Sequence, residues 1–328
     1  MRPSDTLTAK RKHLIVIVGP TAIGKTACSI QLAEVLQTEI LSADSRQFYR
    51  DLVIGTAQPT PAEMKGIPHH FLAFLPIQEN YTAGRFAQEA LERLHTLFTY
   101  QDVVIATGGS GLYLKALCEG LAEIPTLPPN LRTTLNAALT QKGLPYLTQL
   151  LAEKDPIYYQ TVDLNNPKRI IRALEVCLGT GIPYSTLRNQ QTQTARPFNR
   201  ITIGLTQDKP LLHKRISLRV DAMMEQGLLQ EVEKLYPYKT TNALQTLGYK
   251  ELFDYMDGQC SLTEAIHHIK TNTKQYAKKQ MTWFKKDKNT IWFAPDDLPN
   301  IQTHIRSIIG TTQPFVPSMA TPKPNDRN

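Results

Sequence analysis

The chain has 328 residues, 41% of them hydrophobic, with 37 lysines and arginines against 29 aspartates and glutamates. Such a length can bury a good core in one large or two modest domains, and the composition is that of a soluble globular protein. The net charge of +8 suits a polyanionic partner, while apolar runs no longer than a strand exclude a membrane span. The polar start over 1–12 lacks the apolar stretch of a signal peptide. Cys28, Cys118, Cys177 and Cys260 lie far apart with no C-x-x-C pair. That spacing argues against structural zinc and against a disulfide framework, and it fits a cytoplasmic protein.

Residues 1–11 read as a mobile tail. The first predicted element is His13-Leu14-Ile15-Val16-Ile17-Val18, a β-branched run of the kind that makes a parallel strand buried on both faces. Gly19-Pro20-Thr21-Ala22-Ile23-Gly24-Lys25-Thr26 follows and fits G-x-x-x-x-G-K-[ST]. Ala27, Ile30, Ala33 and Leu36 then recur at helical spacing, predicting a helix over 25–36. Strand, glycine loop and helix in that order make a phosphate site. Unpaired amides and the positive end of the helix dipole hold a di- or triphosphate, and the lysine reaches its outer oxygens.

Further strands are predicted at 38–43, 102–106, 201–205 and 290–293, and helices at 83–98, 112–118, 209–235 and 263–286. This alternation implies an α/β fold, a parallel sheet covered by helices on both faces. Segment 126–165 has no convincing strand. Pro125, Pro128 and Pro129, then amphipathic patterns around 130–141 and 145–153, predict a small helical insertion domain. It is placed at 122–165, between core segments 12–121 and 166–310, and 311–328 reads as a disordered tail. Between Lys270 and Lys288 stand seven lysines and one acid, Asp287. Lys270, Lys274 and Lys278 form a stripe at i,i+4 spacing, with Ile266, Ile269, Tyr276 and Trp283 as an apolar face on the same helix.

Ligands of such sheets sit beyond the carboxyl ends of the strands. The second strand is followed by Asp44-Ser45-Arg46-Gln47-Phe48-Tyr49 and the third by Gly108-Gly109-Ser110-Gly111-Leu112-Tyr113. With the phosphate loop, these should meet in one cleft. The third strand ends in Ala106-Thr107, where P-loop NTPases normally carry the aspartate that holds Mg²⁺, which speaks against a motor ATPase or a GTPase switch. Asp44 is the acid expected to face the phosphate loop, placed to act as a general base. Two chemistries remain on these grounds. A small-molecule kinase would use Asp44 to deprotonate an acceptor hydroxyl. A transferase would use the loop to stabilise a departing diphosphate.

The phosphate loop written Gly-Pro-Thr-Ala-x-Gly-Lys-Thr, followed by Ile40-Leu41-Ser42-Ala43 and the Asp44–Tyr49 segment, resembles the tRNA dimethylallyltransferases. So do Ile54-Gly55-Thr56-Ala57, Pro68-His69-His70 and the segment 108–113. The same holds for 166–176, for Leu247-Gly248-Tyr249-Lys250-Glu251, and for Tyr276-Ala277-Lys278-Lys279-Gln280-Met281-Thr282-Trp283-Phe284. The likeness runs in order from about 13 to about 294. It implies a P-loop kinase-like sheet with an inserted helical domain. The implied activity is transfer of the dimethylallyl group from dimethylallyl diphosphate to N6 of adenosine 37 in the tRNA anticodon stem-loop. The readings held against it are an adenylate isopentenyltransferase and a P-loop small-molecule kinase.

By this resemblance Asp44 is the base, Gly19, Pro20, Thr21, Ala22, Ile23, Gly24, Lys25 and Thr26 bind the diphosphate, Thr21 touches its bridging oxygen, and Thr26 contacts Mg²⁺. Arg215 and Arg219 are weaker candidates for the diphosphate, a surface ion pair being the competing role for each. Asp44, Ser45, Arg46, Gln47 and Ser110 are expected around the target base. The RNA path is expected along Arg132, then Lys168, Arg169, Ile170, Ile171 and Arg172. It continues over Gln245, Thr246, Leu247, Gly248, Tyr249 and Lys250, and over Lys274, Lys278 and Lys279 within 273–280. His69 and His70 match the family but fit equally well as packing residues. Ser110 stands where many members have threonine, and Lys279 and Lys285 stand where arginine is frequent. Gln245 replaces an arginine found in some relatives. With no Cys/His cluster after the core, a bacterial-type enzyme, acting as a monomer, is expected.

Overall fold

His13–Val18 (β1) is the strand around which the sheet is built, and all six of its residues are buried. The computed structural model describes residues 11–122, 124–125, 127–189 and 195–310. After β1 come α1 (Lys25–Leu36), β2 (Ile40–Ser42), the one-turn α2 (Pro61–Met64), β3 (His69–His70), α3 (Ala83–Leu97), β4 (Val103–Thr107) and α4 (Gly111–Glu119). Four helices follow: α5 (Asn130–Lys154), α6 (Pro156–Tyr159), α7 (Pro167–Thr180) and α8 (Tyr184–Asn189). The remainder is β5 (Asn199–Leu205), α9 (Lys209–Glu225), α10 (Leu228–Leu235), α11 (Tyr249–Met256), α12 (Leu262–Phe284), β6 (Ile291–Phe293) and α13 (Leu298–Ile309).

The six strands are parallel, in the order β3-β2-β4-β1-β5-β6. Side chains alternate across the sheet. Leu14, Val16 and Val18 join Leu41, Ala43, Val104 and Ala106 on one face, under Phe86, Leu94, Val232 and Leu252 of the helices. Ile15 and Ile17 join Ile40, Ile105, Ile201 and Ile203 on the other, under Ile30, Leu32, Ile301 and Ile305. Each fully buried aliphatic side chain of this kind stabilises the fold by about 1.5–3 kcal/mol. The register then sets the site. Ile17 and Ser42 both pair at the level of Thr107, so β1, β2 and β4 end together and their following loops leave one edge side by side. These loops are tightly apposed: a Cβ on Gly108 would lie 2.4 Å from the Ala43 carbonyl oxygen, so only glycine lets them approach.

The chain divides into two compact units, and the smaller is Glu119–Ala195. Within it α5 bends at Gly143, where φ is 79° and ψ 173°, two residues before Pro145, which separates the two amphipathic stretches read from the sequence. Ile170, Ile171, Ala173 and Leu174 of α7 pack with Leu135, Leu147 and Leu151 of α5. The buried Asp155 carboxylate accepts hydrogen bonds from the Tyr158 amide and from the amide and hydroxyl of Ser185, fixing the starts of two helices. The insertion therefore does not end at 165. Residues 166–195 group with it because the apolar face of α7 is buried against α5.

Two other expectations shift. The single helix over 209–235 is two helices, broken where Gly227 adopts φ 97°. The short edge strand β3, too brief to show alternation in sequence, extends the sheet beyond β2. The expected C-terminal tail, 311–328, and residues 1–10 lie outside the described residues. No described helix is long and apolar enough to cross a membrane.

Candidate active site

The phosphate loop enters α1 through Gly24, whose φ of 108° only glycine tolerates readily, and no side chain caps the first turn. The first amides of a helix have no partner within it, the arrangement that binds anions. The Lys25 ammonium donates to the Pro20 carbonyl at 2.8 Å, so it is folded back over the loop it serves. Burial pushes Lys25 down to about 8, while the nearby Asp44 carboxylate works in the opposite direction. The Thr21 amide donates to Gln280 Oε1 at 2.8 Å.

Asp44 follows the end of β2 and lies close enough to the loop for its charge to act on Lys25. Its Oδ1 accepts the Arg46 amide at 3.0 Å, a local turn that fixes the carboxylate. Its other oxygen, Oδ2, lies 3.6 Å from where a Cβ on Gly109 would stand. Arg219 is also beside it: burial lowers the guanidinium's affinity for its proton, and Asp44 is the first group to oppose that. The Arg215 guanidinium reaches the phosphate loop, 3.4 Å from the Cβ position of Gly24, and donates to Gln207. Arg215 thus reaches the loop, and Arg219, which donates to the Thr56 carbonyl, lies close enough for its charge to act on Lys25. Tyr276 of α12 borders Asp44 as well; burial and then the Asp44 carboxylate raise its phenol to about 12.

The residues expected around a target base hold protein partners. Ser110 Oγ accepts the Ser45 amide at 2.9 Å and donates to Ser45 Oγ at 3.0 Å, joining the loops after β2 and β4. The Arg46 guanidinium donates to the carbonyls of Asn242 and Ala243. Gln47 Nε2 donates to the carbonyls of Thr56 and Ala57, which ties down the Ile54-Gly55-Thr56-Ala57 segment. In the next expected segment Gln245 and Lys250 are exposed, and Gln245 donates to the Lys239 carbonyl. Thr246 and Leu247 are half-buried and Gly248 is buried. Tyr249 is fully buried, and its hydroxyl donates to Glu231 Oε1 at 2.5 Å, so its side chain cannot meet RNA. That expectation is corrected: the tyrosine is a core residue.

On α12, Lys278 and Lys279 are exposed and Lys274 is half-buried, whereas Lys270 is paired with Asp221 at 2.5 Å. The buried face is Ala265, Ile269, Ala277, Gln280 and Phe284, with Tyr276 and Trp283 39% exposed at its margin. In the smaller unit Lys168 and Arg169 are exposed at the start of α7, and Arg172 is half-buried. Ile170 and Ile171 face the core and are unavailable to RNA through their side chains. Arg132 makes a two-pronged pair with Glu175 at 2.6 and 2.7 Å, shared with Arg172 at 3.5 Å. His69 Nδ1 donates to the Ile67 carbonyl at 2.9 Å and His70 pairs with Glu39 at 2.6 Å, both histidines lying on β3, which gives them structural partners.

Two supporting residues escape sequence reasoning. Glu231 accepts the amides of Val53, Ile54 and Gly55 in addition to the Tyr249 hydroxyl, and so fixes the segment that Gln47 and Arg219 lean on. Gln280 is buried between two active-site loops. Nothing in sequence marks the glutamate, which stands on a helix among other acids. The glutamine lies inside a family-like motif but among lysines that suggest an exposed face.

A phosphate loop, an adjoining carboxylate and surrounding cations on the edge of a parallel sheet define an enzyme that moves a group to or from a phosphorylated substrate. Comparison with known proteins narrows the class. The family model described as IPP transferase matches residues 47–287. A tRNA dimethylallyltransferase 1 of Bacteroides thetaiotaomicron is 48% identical over 89% of this chain and 95% of its own length. One of Christiangramia forsetii is 47% identical over 91% and 99%. Among solved structures, the Bacillus halodurans tRNA isopentenylpyrophosphate transferase has a TM-score of 0.68 at 35% identity, covering 92% of this chain and 97% of that one. A eukaryotic dimethylallyltransferase acting on tRNA has a TM-score of 0.76 at 28% identity, covering 90% and 78%. The chain belongs to the tRNA dimethylallyltransferase family and is of the bacterial type, as the Bacteroides and Christiangramia proteins are.

Proposed function

We propose that this enzyme transfers the dimethylallyl group of dimethylallyl diphosphate to N6 of adenosine 37, beside the tRNA anticodon, and releases diphosphate. The observation that carries the reading is Asp44 set between the phosphate loop and the exposed rim of α12, close enough to act on Lys25, Arg219 and Tyr276. The bond from C1 of the dimethylallyl group to the diphosphate oxygen breaks, the C1–N6 bond forms, and the N6 proton passes to the Asp44 carboxylate. An exocyclic adenine amine is a weak nucleophile because its lone pair is delocalised into the ring. A base that takes its proton as the bond forms is worth about 10²–10⁴-fold.

The departing charge falls on the amides of the phosphate loop and on Lys25, preorganised in a partly dry pocket, with Arg215 and Arg219 beside them. Thr21 touches the bridging oxygen. The donor set suits Mg²⁺: Thr26 offers one hydroxyl at the first turn of α1, and no cluster of three or more His, Cys, Asp or Glu side chains exists among the described residues to cage an ion. Mg²⁺ keeps several waters and is commonly held by one or two protein oxygens with substrate phosphates. When bound it would neutralise diphosphate oxygens.

The target base leaves its stack to reach this depth. Ser45, Arg46, Gln47 and Ser110 receive it, exchanging some of their present partners for base edges. Lys274, Lys278 and Lys279 meet the backbone, joined by Gln245, Lys250, Arg132, Lys168, Arg169 and Arg172. The enzyme works as a monomer in the cytoplasm. The test is radiolabelled dimethylallyl diphosphate offered with an anticodon stem-loop carrying A36-A37-A38, and separately with free AMP. Label in the stem-loop alone is expected. Label in AMP would favour an adenylate isopentenyltransferase, and acceptor-dependent ATP hydrolysis a small-molecule kinase.

A further inference from the structure

Gln280 stands on the buried face of α12 with 6% of its surface exposed. Its Oε1 accepts the Thr21 amide of the phosphate loop at 2.8 Å, and its Nε2 donates to the Gly109 carbonyl, in the loop after β4, at 3.0 Å. The fit is close, since a Cβ on Gly109 would come within 2.5 Å of that nitrogen. Gln280 also lies within hydrogen-bonding reach of the Tyr276 phenol, one turn earlier, which borders Asp44. One side chain therefore ties the phosphate loop, the Gly109 loop and the helix whose outer face carries Lys274, Lys278 and Lys279.

A buried amide side chain has donors and acceptors that are costly to leave unmatched, so both of its bonds hold or both partners move. We infer that Gln280 is a positioning residue that couples the two substrate sites: RNA held on the outer face of α12 fixes the phosphate loop in its diphosphate-binding form, and diphosphate fixes α12 for RNA. The inference rests on the function proposed above. It requires reciprocity, since each ligand must strengthen the other by the same factor. The strut explains why a helix of basic outer face buries a glutamine where an aliphatic residue would pack as well.

The experiment measures inorganic diphosphate with Mg²⁺, an unreactive probe, binding to the enzyme with and without a saturating unmodified anticodon stem-loop. The wild type is expected to bind diphosphate about tenfold more tightly with the stem-loop present, inside the usual range for coupled sites. Gln280→Met preserves volume and removes both hydrogen bonds. It should bring that ratio to within about twofold of one, while each ligand alone binds within a few-fold of wild type, because the freed Thr21 amide remains open to phosphate. Gly109→Ala attacks the same strut from the other side by displacing Nε2, and should give the same loss. It keeps the test decisive if the methionine variant does not fold. A ratio preserved in the folded variants, or a wild-type ratio of one with both ligands bound, would overturn the coupling and leave the proposed function standing. A wild type that binds neither ligand would overturn that function and the coupling with it.

Discussion

The Asp44 carboxylate supports the charge on Lys25, opposing a burial that brings the ammonium down to about 8. In the proposed displacement the two groups serve opposite ends, the base at the nucleophile and the cation at the leaving group. Their coupling gives a pH dependence. Lys25 loses its proton as pH rises through about 8, so affinity for Mg²⁺-diphosphate should fall above that point, by about fivefold between pH 8 and 9 if only the ammonium binds. Asp44→Asn removes the support, and the fall should begin at lower pH. Titration calorimetry across pH 6.5–9.5 checks it, and superimposable profiles for wild type and variant would refute the coupling.

Asp44→Asn also isolates the base. The asparagine oxygen can still accept the Arg46 amide, so the turn is kept while the proton acceptor is lost. Turnover should drop by about 10²–10⁴-fold with stem-loop affinity nearly unchanged. Single-turnover transfer beside a filter-binding assay separates the two quantities, and near-normal turnover would remove Asp44 from the mechanism.

Much of this arrangement is legible in the sequence, for identifiable reasons. A phosphate loop is a contiguous pattern with a strand before it and a helix after it, and Asp44 stands directly beyond a strand that ends level with β1. The helical insertion is visible in its prolines, but its end is not. Lys168, Arg169 and Arg172 draw attention to a basic surface, while Ile170, Ile171 and Leu174, alternating with them, bury α7 against α5. Tyr249 and Gln280 both read as surface because each sits in a polar motif. Only tertiary packing tells a buried tyrosine bound to Glu231, or a glutamine between two loops, from its exposed neighbours.

Glu231 offers a stability test away from the reacting atoms. It accepts three consecutive amides and the Tyr249 hydroxyl, so Glu231→Ala would strand buried donors and should cost on the order of 1–3 kcal/mol or more. Tyr249→Phe removes one bond and should cost about 0.5–1.5 kcal/mol. Urea unfolding of each variant gives the numbers, and equal losses would mean that the amides find another partner.

The lysines of α12 are not equivalent. Lys274 and Lys278 should each contribute about 0.7–0.9 to the slope of log affinity against log salt if they neutralise RNA phosphates. Their alanine variants should weaken all stem-loop sequences alike and raise the KM for tRNA, leaving that for dimethylallyl diphosphate alone. Lys270 is already paired with Asp221, and Lys270→Ala should leave the slope where it was. An unchanged slope in the Lys274/Lys278 double variant would make that face merely solvated. Changes at Arg46 or Gln47 should instead erode discrimination among bases beside the target, because base contacts specify and phosphate contacts position.

The most direct measurement is mass mapping of an A36-A37-A38 stem-loop after incubation with the enzyme, Mg²⁺ and dimethylallyl diphosphate. The site built from Gly19, Lys25 and Asp44 predicts one dimethylallyl group in place of one hydrogen, on A37 alone, and about 10²–10⁴-fold slower modification by the Asp44→Asn variant. Modification at A36 or A38, or equal modification by the variant, would contradict it.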